Sequence, residues 1–309
     1  MVFENILSAI WEYSAWAAKW STVFFLVTPI FLIVWFYLMS VAAHVYRWRK
    51  REVYEAFNDS FWDGFRISLA AITEAQGKIW HNIEFKGIEH LPKKGGALLV
   101  GYHGALPLDA YYFLAHCVLE RRKLKLVVDK FLYNAPGLRL LMKVLNLTPG
   151  TINGCVSALN DGEMLMIYPG GLRESLLSDE NYELIWNARQ GFSRVALEAD
   201  VPIIPFFTEN IREAARSVKF SARLASWLYE KTRLPIIPII GIFPVELKMH
   251  LGRPLNFDDE EEPKVVADLV TKRVQQLIEK HQKVPGSILR ELYKRFWVRN
   301  RSADHQHSE

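Results

Sequence analysis

At 309 residues, half of them hydrophobic and ten of them tryptophan, the chain has material for one large α/β domain or two small ones and is rich in apolar surface for a wholly water-exposed protein. A net charge of +4 suits a face turned to anionic lipid heads or an anionic substrate; without zinc-finger spacing, an RNA-binding signature or a basic run interleaved with aromatics, nucleic acid is excluded as a partner. The two cysteines, Cys117 and Cys155, make neither a disulfide framework nor a metal pattern, as expected for a reducing compartment.

From Ser21 to Tyr46 no Asp, Glu, Lys or Arg occurs. As a helix this run extends about 39 Å, against a hydrocarbon core of about 30 Å, which predicts a transmembrane or membrane-embedded segment. It is too long for a signal peptide and no small-residue cleavage pattern follows it. Arg47, Arg49, Lys50 and Arg51 crowd its far side, whereas Lys19 stands beside Glu4 and Glu12 on the near side, so the positive-inside rule puts the rest of the chain in the cytosol. Pro29 and the amphipathic stretch Ile6 to Ala18 keep a hairpin open as an alternative to a single span. The expected partition is a membrane anchor with basic flank over 1–51, one catalytic-size domain over 52–302 and a disordered tail over 303–309.

After the anchor, 52–76 reads as a helix and Ile79 to Phe85 as a half-exposed alternating strand. A Pro-Lys-Lys-Gly-Gly turn leads to a strand at Ala97 to Gly101. Strands at Leu124 to Val128, Glu163 to Tyr168 and Val201 to Phe207 then alternate with helices at Gly137 to Leu145, Trp186 to Ala199 and Ile211 to Glu230. A further apolar run follows at Ile236 to Phe243, then a helix from Pro263 to His281 with Glu260, Glu261 and Glu262 at its dipole, and a short basic helix to Arg301. This alternation predicts an α/β fold, a mostly parallel sheet flanked by helices, with ligands at the carboxyl ends of strands.

Two strand ends carry chemistry. The first, Leu98 to Asp109, presents His103 and Asp109: an imidazole able to take a proton at neutral pH and a carboxylate able to orient it. Alone, the pair also fits a satisfied turn histidine and an ordinary helix-N-terminal aspartate. The second is Met164 to Glu174, where Gly170 and Gly171 let backbone approach a ligand or offer amides to an anionic centre. Arg173 there suits a phosphate or carbonyl oxygen, with Glu174 anchoring the arginine or an acceptor hydroxyl; a surface Arg–Glu pair reads equally well. Arg189-Gln-Gly-Phe192 and Val201-Pro-Ile-Ile-Pro205 read as structural, and the basic cluster Arg121 to Lys125 as a solvated face.

With His103-Gly-Ala-Leu-Pro-Leu-Asp109, Tyr168-Pro-Gly-Gly-Leu-Arg-Glu-Ser175, Val201 to Arg212 and His281 to Leu289 considered together, the chain resembles the glycerolipid acyltransferase superfamily, near its diacylglycerol acyltransferase type-2 branch. The likeness runs from the membrane segment almost to the C-terminus. It implies His103 as the general base on an acceptor hydroxyl, Asp109 as its orienting acid, and Gly104, Gly170, Gly171, Arg173 and Glu174 around the substrate. It implies direct transfer without a serine nucleophile, no bound cofactor or metal, acyl-coenzyme A or a phospholipid as donor, and the endoplasmic reticulum membrane as location. Two departures narrow the acceptor: His103 and Asp109 are separated by five residues where the wider superfamily has four, and Gly170 stands where many phosphate-ester acyltransferases have Glu. Both lean toward mono- or diacylglycerol and a triacylglycerol product. Phospholipid remodelling, wax-ester formation and non-catalytic lipid binding are the rival expectations.

Overall fold

Strand β2 (Ala97–Gly101) is buried along its whole length, and such an all-apolar strand needs neighbours and covering layers on every side. In the computed structural model, which describes residues 2–49, 62–129, 132, 135–186, 189–217, 239–258 and 260–298, β2 has parallel partners on both edges. β5 (Met164–Ile167) pairs with it so that Val100 faces Ile167, and β6 (Ile203–Glu209) so that Gly101 faces Phe206. With β1 (Glu84–Lys86), β3 (Leu124–Val128), β4 (Leu147–Pro149) and β9 (Lys248–Leu251), the sheet has seven strands in the order β1-β9-β6-β2-β5-β3-β4. β9 is antiparallel to β6 and parallel to β1, so these two run against the other five. A separate antiparallel pair is formed by β7 (Ala215–Ser217) and β8 (Ile239–Gly241).

Successive side chains of β2 point to opposite faces and divide the core. Leu98 and Val100 pack with Ile203, Val270 and Val274, whereas Ala97 and Leu99 pack with Phe113, Leu126 and Met166. α7 (Gly191–Glu198) and α9 (Pro263–His281) thereby cover one face, and α3 (Leu108–Leu119) and α4 (Arg139–Val144) the other. α9 begins with Pro263 in its first turn, where the missing N–H is harmless, and ends in Lys280 and His281.

α1 (Val2–Arg49) is one helix that continues through Pro29, the arrangement of the single-span alternative. Trp11–Trp48 is long and apolar enough to cross a membrane. Along its second half the helix also leans on the domain. Phe25 meets Phe243 at 4.4 Å, Phe36 meets Tyr111 at 5.4 Å, the Ser40 hydroxyl donates to the Gly137 carbonyl at 2.5 Å, and Tyr46 meets Trp62 at 5.6 Å. Phe31, Val34 and Leu38, on the other side, stay exposed. The helix is therefore a wall of the domain.

Several expectations shift. α2 (Asp63–His81) extends through the stretch read as the start of a strand; its end is set by Asn82 in the left-handed conformation, and only β1 remains of that strand. His81 faces inward and is fully buried, which the alternating pattern concealed. The helix expected from Ile211 is a single turn, α8 (Ile211–Ala214), followed by β7. The helix expected from Trp186 starts only at Gly191. α5 (Ile152–Asn160), α6 (Gly171–Leu177), β4 and β9 were not anticipated. The 303–309 tail, Lys50 and Arg51, and parts of the helices expected over 52–76 and 211–230 lie outside the described residues.

Candidate functional site

Because β6, β2 and β5 are adjacent and parallel, their carboxyl ends deliver three loops to one place. β2 hands over to His103 and then α3, which begins with Leu108 and Asp109. β5 hands over to Tyr168, the Gly170–Gly171 turn and α6. β6 carries Thr208 and passes through Asn210, in the left-handed region, to Arg212.

Glu174 and Gly104 hold the amide and the ring of His103. Its backbone N–H donates to Oε2 of Glu174 at 2.8 Å, and its Nδ1 meets the Gly104 carbonyl at 2.6 Å. A carbonyl only accepts, so Nδ1 carries the proton and Nε2 keeps the lone pair of a base. Burial pushes the imidazole down to about 4, with the nearby Arg212 charge acting in the same direction and the Gly104 hydrogen bond opposing. The ring is thus neutral at physiological pH.

Asp109 is fully buried. Its Oδ1 accepts from the Tyr168 hydroxyl at 3.0 Å and from the Ala110 N–H at 3.0 Å; its Oδ2 accepts from the Thr208 hydroxyl at 2.8 Å. Burial raises its carboxyl to about 6 against the pull of these three donors. The direct hydrogen bond expected between Asp109 and His103 is replaced by a route through Tyr168, whose ring centroid lies 4.8 Å from that of the imidazole. The physical reason is that the single proton of the neutral ring sits on Nδ1 and is directed to Gly104, which leaves none to donate to the carboxylate.

The Gly170 position has its own explanation. A Cβ there would fall 2.4 Å from Cβ of Glu174 and 2.6 Å from its Oε2, so glycine is what lets the Glu174 side chain lie against the turn. Glu174 is wholly buried; Oε2 holds the His103 amide, Oε1 accepts from the Ile185 N–H at 2.9 Å, and burial pushes its carboxyl up to about 7. It supports the histidine turn from behind and does not face a ligand space.

Arg212, also buried, clamps both loops. Nε donates to the Tyr102 hydroxyl at 2.6 Å, Nη1 to the Ser175 carbonyl at 2.9 Å, and Nη2 to the carbonyls of His103 at 3.1 Å and Glu174 at 2.5 Å. A planar fork with five donors meets these acceptors where an ammonium would not. Arg216, Tyr182 and Gln282 in turn hold the buried Glu213 beneath it.

His103 borders an apolar chamber of about 980 Å³. Pro29, Ile33 and Phe36 of α1 form one wall, and Tyr168, Gly171 and Arg189 line it near the histidine. Of the residues anticipated around a substrate, Gly171 reaches this lining, with φ +52 that only glycine adopts cheaply. Gly104 is buried against Ile211, Gly170 and Glu174 stand behind the turn, and Arg173 has a buried Nε with no hydrogen-bond partner. The cation on the chamber is Arg189, whose Nη1 donates to the Pro169 carbonyl at 2.7 Å. Tyr168, Thr208, Arg189 and Arg212 were missed as members of one site because their partners lie tens of residues away in the chain; the motifs of the resemblance contain Tyr168, Thr208 and Arg212, whereas the stretch with Arg189 reads as structural. Cys155 also lines the chamber; both cysteines are buried free thiols.

A family model described as "Acyltransferase" matches residues 82–209, which include His103, Asp109, Tyr168, Glu174 and Thr208. Over 272 residues the chain is 42% identical to a human protein named "DGAT1/2-independent enzyme synthesizing storage lipids", covering 88% of this chain and 83% of that one. The chicken protein of the same name is 38% identical over 301 residues, covering 94% and 89%. Among solved structures, the 1-acyl-sn-glycerophosphate (LPA) acyltransferase PlsC from Thermotoga maritima aligns with a TM-score of 0.44 at 15% identity, covering 78% of this chain and 97% of that one.

Proposed function

The chain belongs to the acyltransferase family, and on that premise we propose that it transfers a fatty acyl group to the free hydroxyl of mono- or diacylglycerol at a membrane, forming triacylglycerol. The observation that carries the reading is His103: a neutral imidazole with one nitrogen committed to Gly104 and the other basic, at the edge of a chamber walled by a membrane-type helix. The storage-lipid synthesis named for the human and chicken relatives supports a neutral acceptor, as does Glu174 occupying the space beside Gly170.

The donor is acyl-coenzyme A or a phospholipid. Nε2 of His103 takes the proton of the acceptor hydroxyl as that oxygen attacks the acyl carbonyl, and returns it to the leaving thiolate or alkoxide as the tetrahedral centre collapses. A base so placed contributes about 10²–10⁴-fold in rate. Asp109 acts as a positioning residue through Tyr168, and Arg189 with the Gly171 turn supplies positive charge and backbone near the developing oxyanion. The basic flank after α1 favours a cytosolic catalytic domain, and the endoplasmic reticulum is the proposed membrane.

Neutral-lipid profiling of cells expressing the wild type or His103→Ala tests the reading. Triacylglycerol gained with the wild type and absent with the variant is expected. A phospholipid change with unchanged neutral lipid would overturn the acceptor assignment, and acyl transfer persisting in His103→Ala would overturn the base.

A further inference from the structure

The chamber beside His103 has a neighbour. A second apolar space of about 410 Å³ lies between α1, α2 and α3, bordered by Trp35, Met39, Leu69, Ala70, Thr73 and Ala115. Leu32, Phe36 and Tyr111 line both spaces. The Phe36 and Tyr111 rings touch at 5.4 Å and form a divider between a membrane-type helix and the helix that carries Asp109.

Three properties of this divider bear on a ligand. First, it is continuous with the reacting centre: Tyr111 stands two residues after Asp109 and lines the same chamber as Tyr168 and His103. Second, the Tyr111 hydroxyl makes no hydrogen bond among the described residues. Its O–H is free to donate, and an ester carbonyl or glycerol oxygen placed there would accept from it. Third, α1 supplies part of the wall of both spaces, so each has lipid chains as its natural contents rather than water.

An acyl-transfer reaction on an acceptor that already carries chains poses a geometric problem that these properties answer. The donor's chain and the acceptor's existing chain must both leave the reacting oxygen in apolar directions. One chamber beside His103 does not separate them. Two chambers parted by a ridge with a hydroxyl on it do.

We propose that the smaller chamber is a second hydrocarbon-chain subsite, which holds a chain already esterified on the acceptor while the glycerol backbone straddles the Phe36–Tyr111 divider and the donor chain occupies the chamber beside His103. The inference rests on the acylglycerol-acceptor reading above and deepens it, because it makes an acceptor with at least one long chain the preferred one.

Ala115→Leu and Thr73→Phe place bulk inside the smaller chamber without touching the His103 chamber. The full-length proteins in phosphatidylcholine vesicles are given labelled oleoyl-coenzyme A with either dioleoylglycerol or dihexanoylglycerol. Both variants are expected to lose about tenfold or more with dioleoylglycerol and far less with dihexanoylglycerol, whose short chains do not need the space. A companion measurement on the wild type uses a diacylglycerol with a photoreactive diazirine at the end of one long chain; labelling of the α2 peptide containing Leu69 to Gln76 is expected. Equal losses with both acceptors combined with no α2 labelling would overturn the subsite, as would unchanged activity of both variants on dioleoylglycerol. A wild type that transfers to no acylglycerol at all would instead overturn the acceptor reading on which the subsite rests.

Discussion

Tyr168 donates its hydroxyl to Asp109 over 3.0 Å while presenting its ring to His103, so a single aromatic residue couples the carboxylate to the imidazole. The coupling separates into two parts that substitution can test. Tyr168→Phe keeps the ring and removes the donor, leaving Thr208 and the Ala110 amide on the carboxylate; kcat is expected to fall about tenfold and stability by about 1–3 kcal/mol. Tyr168→Leu removes the ring too and is expected to cost a further tenfold or more, measured by acyl transfer in vesicles. Equal rates for the two variants would remove the ring contact from the account.

Arg212 ties the carbonyls of His103, Glu174 and Ser175 to the Tyr102 hydroxyl. Arg212→Lys keeps the charge but not the fork, leaving buried acceptors without donors. A loss on the order of 3 kcal/mol is expected, read as a fall of roughly 6–12 °C in melting temperature, with activity lost before global unfolding.

The pH dependence follows from burial. With His103 held down to about 4, the free base is present throughout the neutral range. The acid limb of kcat/KM is expected near pH 4–5 instead of near the ordinary histidine value of about 6.5. A pH series at constant ionic strength that places the limb at 6.5 would reassign the base or its surroundings.

Asp109 gives a stability signature of defined sign. Its folded carboxyl is raised from 3.8 to about 6, so the folded state binds the proton more tightly than the unfolded chain does. That contribution is fully present below 3.8 and is lost as pH rises through about 6. Asp109→Asn cannot titrate, so the melting temperature of the wild type relative to this variant is expected to drop between pH 4 and pH 7. A difference independent of pH would show that Asp109 titrates at its ordinary value.

Arg189 and Arg173 make opposite claims on the ligand. Arg189 lines the chamber, whereas Arg173 does not. Arg189→Glu is expected to lower kcat/KM about tenfold or more through charge reversal beside the reacting carbonyl. Arg173→Glu is expected to act mainly on folding, seen in the melting temperature. The reverse pattern would restore Arg173 as the ligand-facing cation.

What the residues disclosed before folding was chiefly local. The continuous apolar run of β2, the glycine turn after β5 and the proline start of α9 are decided by neighbours in the chain, and they were legible. The end of α2 was not, since Ile79 to Phe85 alternates like a strand while His81 and Asn82 belong to a helix terminus. The site shows the same division. His103 stood out by its place after a strand, but Tyr168 and Thr208 reach Asp109 from 59 and 99 positions away, across β5 and β6. Nothing in a local pattern encodes which oxygen of Asp109 each one takes. Glu174 was found but given a ligand-facing role, because its contact with Gly170 depends on a missing Cβ seen only in three dimensions.

The placement of α1 makes two chambers share one removable wall. Leu32 and Phe36 of this helix line both spaces, whereas every strand of the large sheet lies elsewhere in the chain. Displacing α1 would therefore open both chambers at once while leaving the strand pairing around His103 in place.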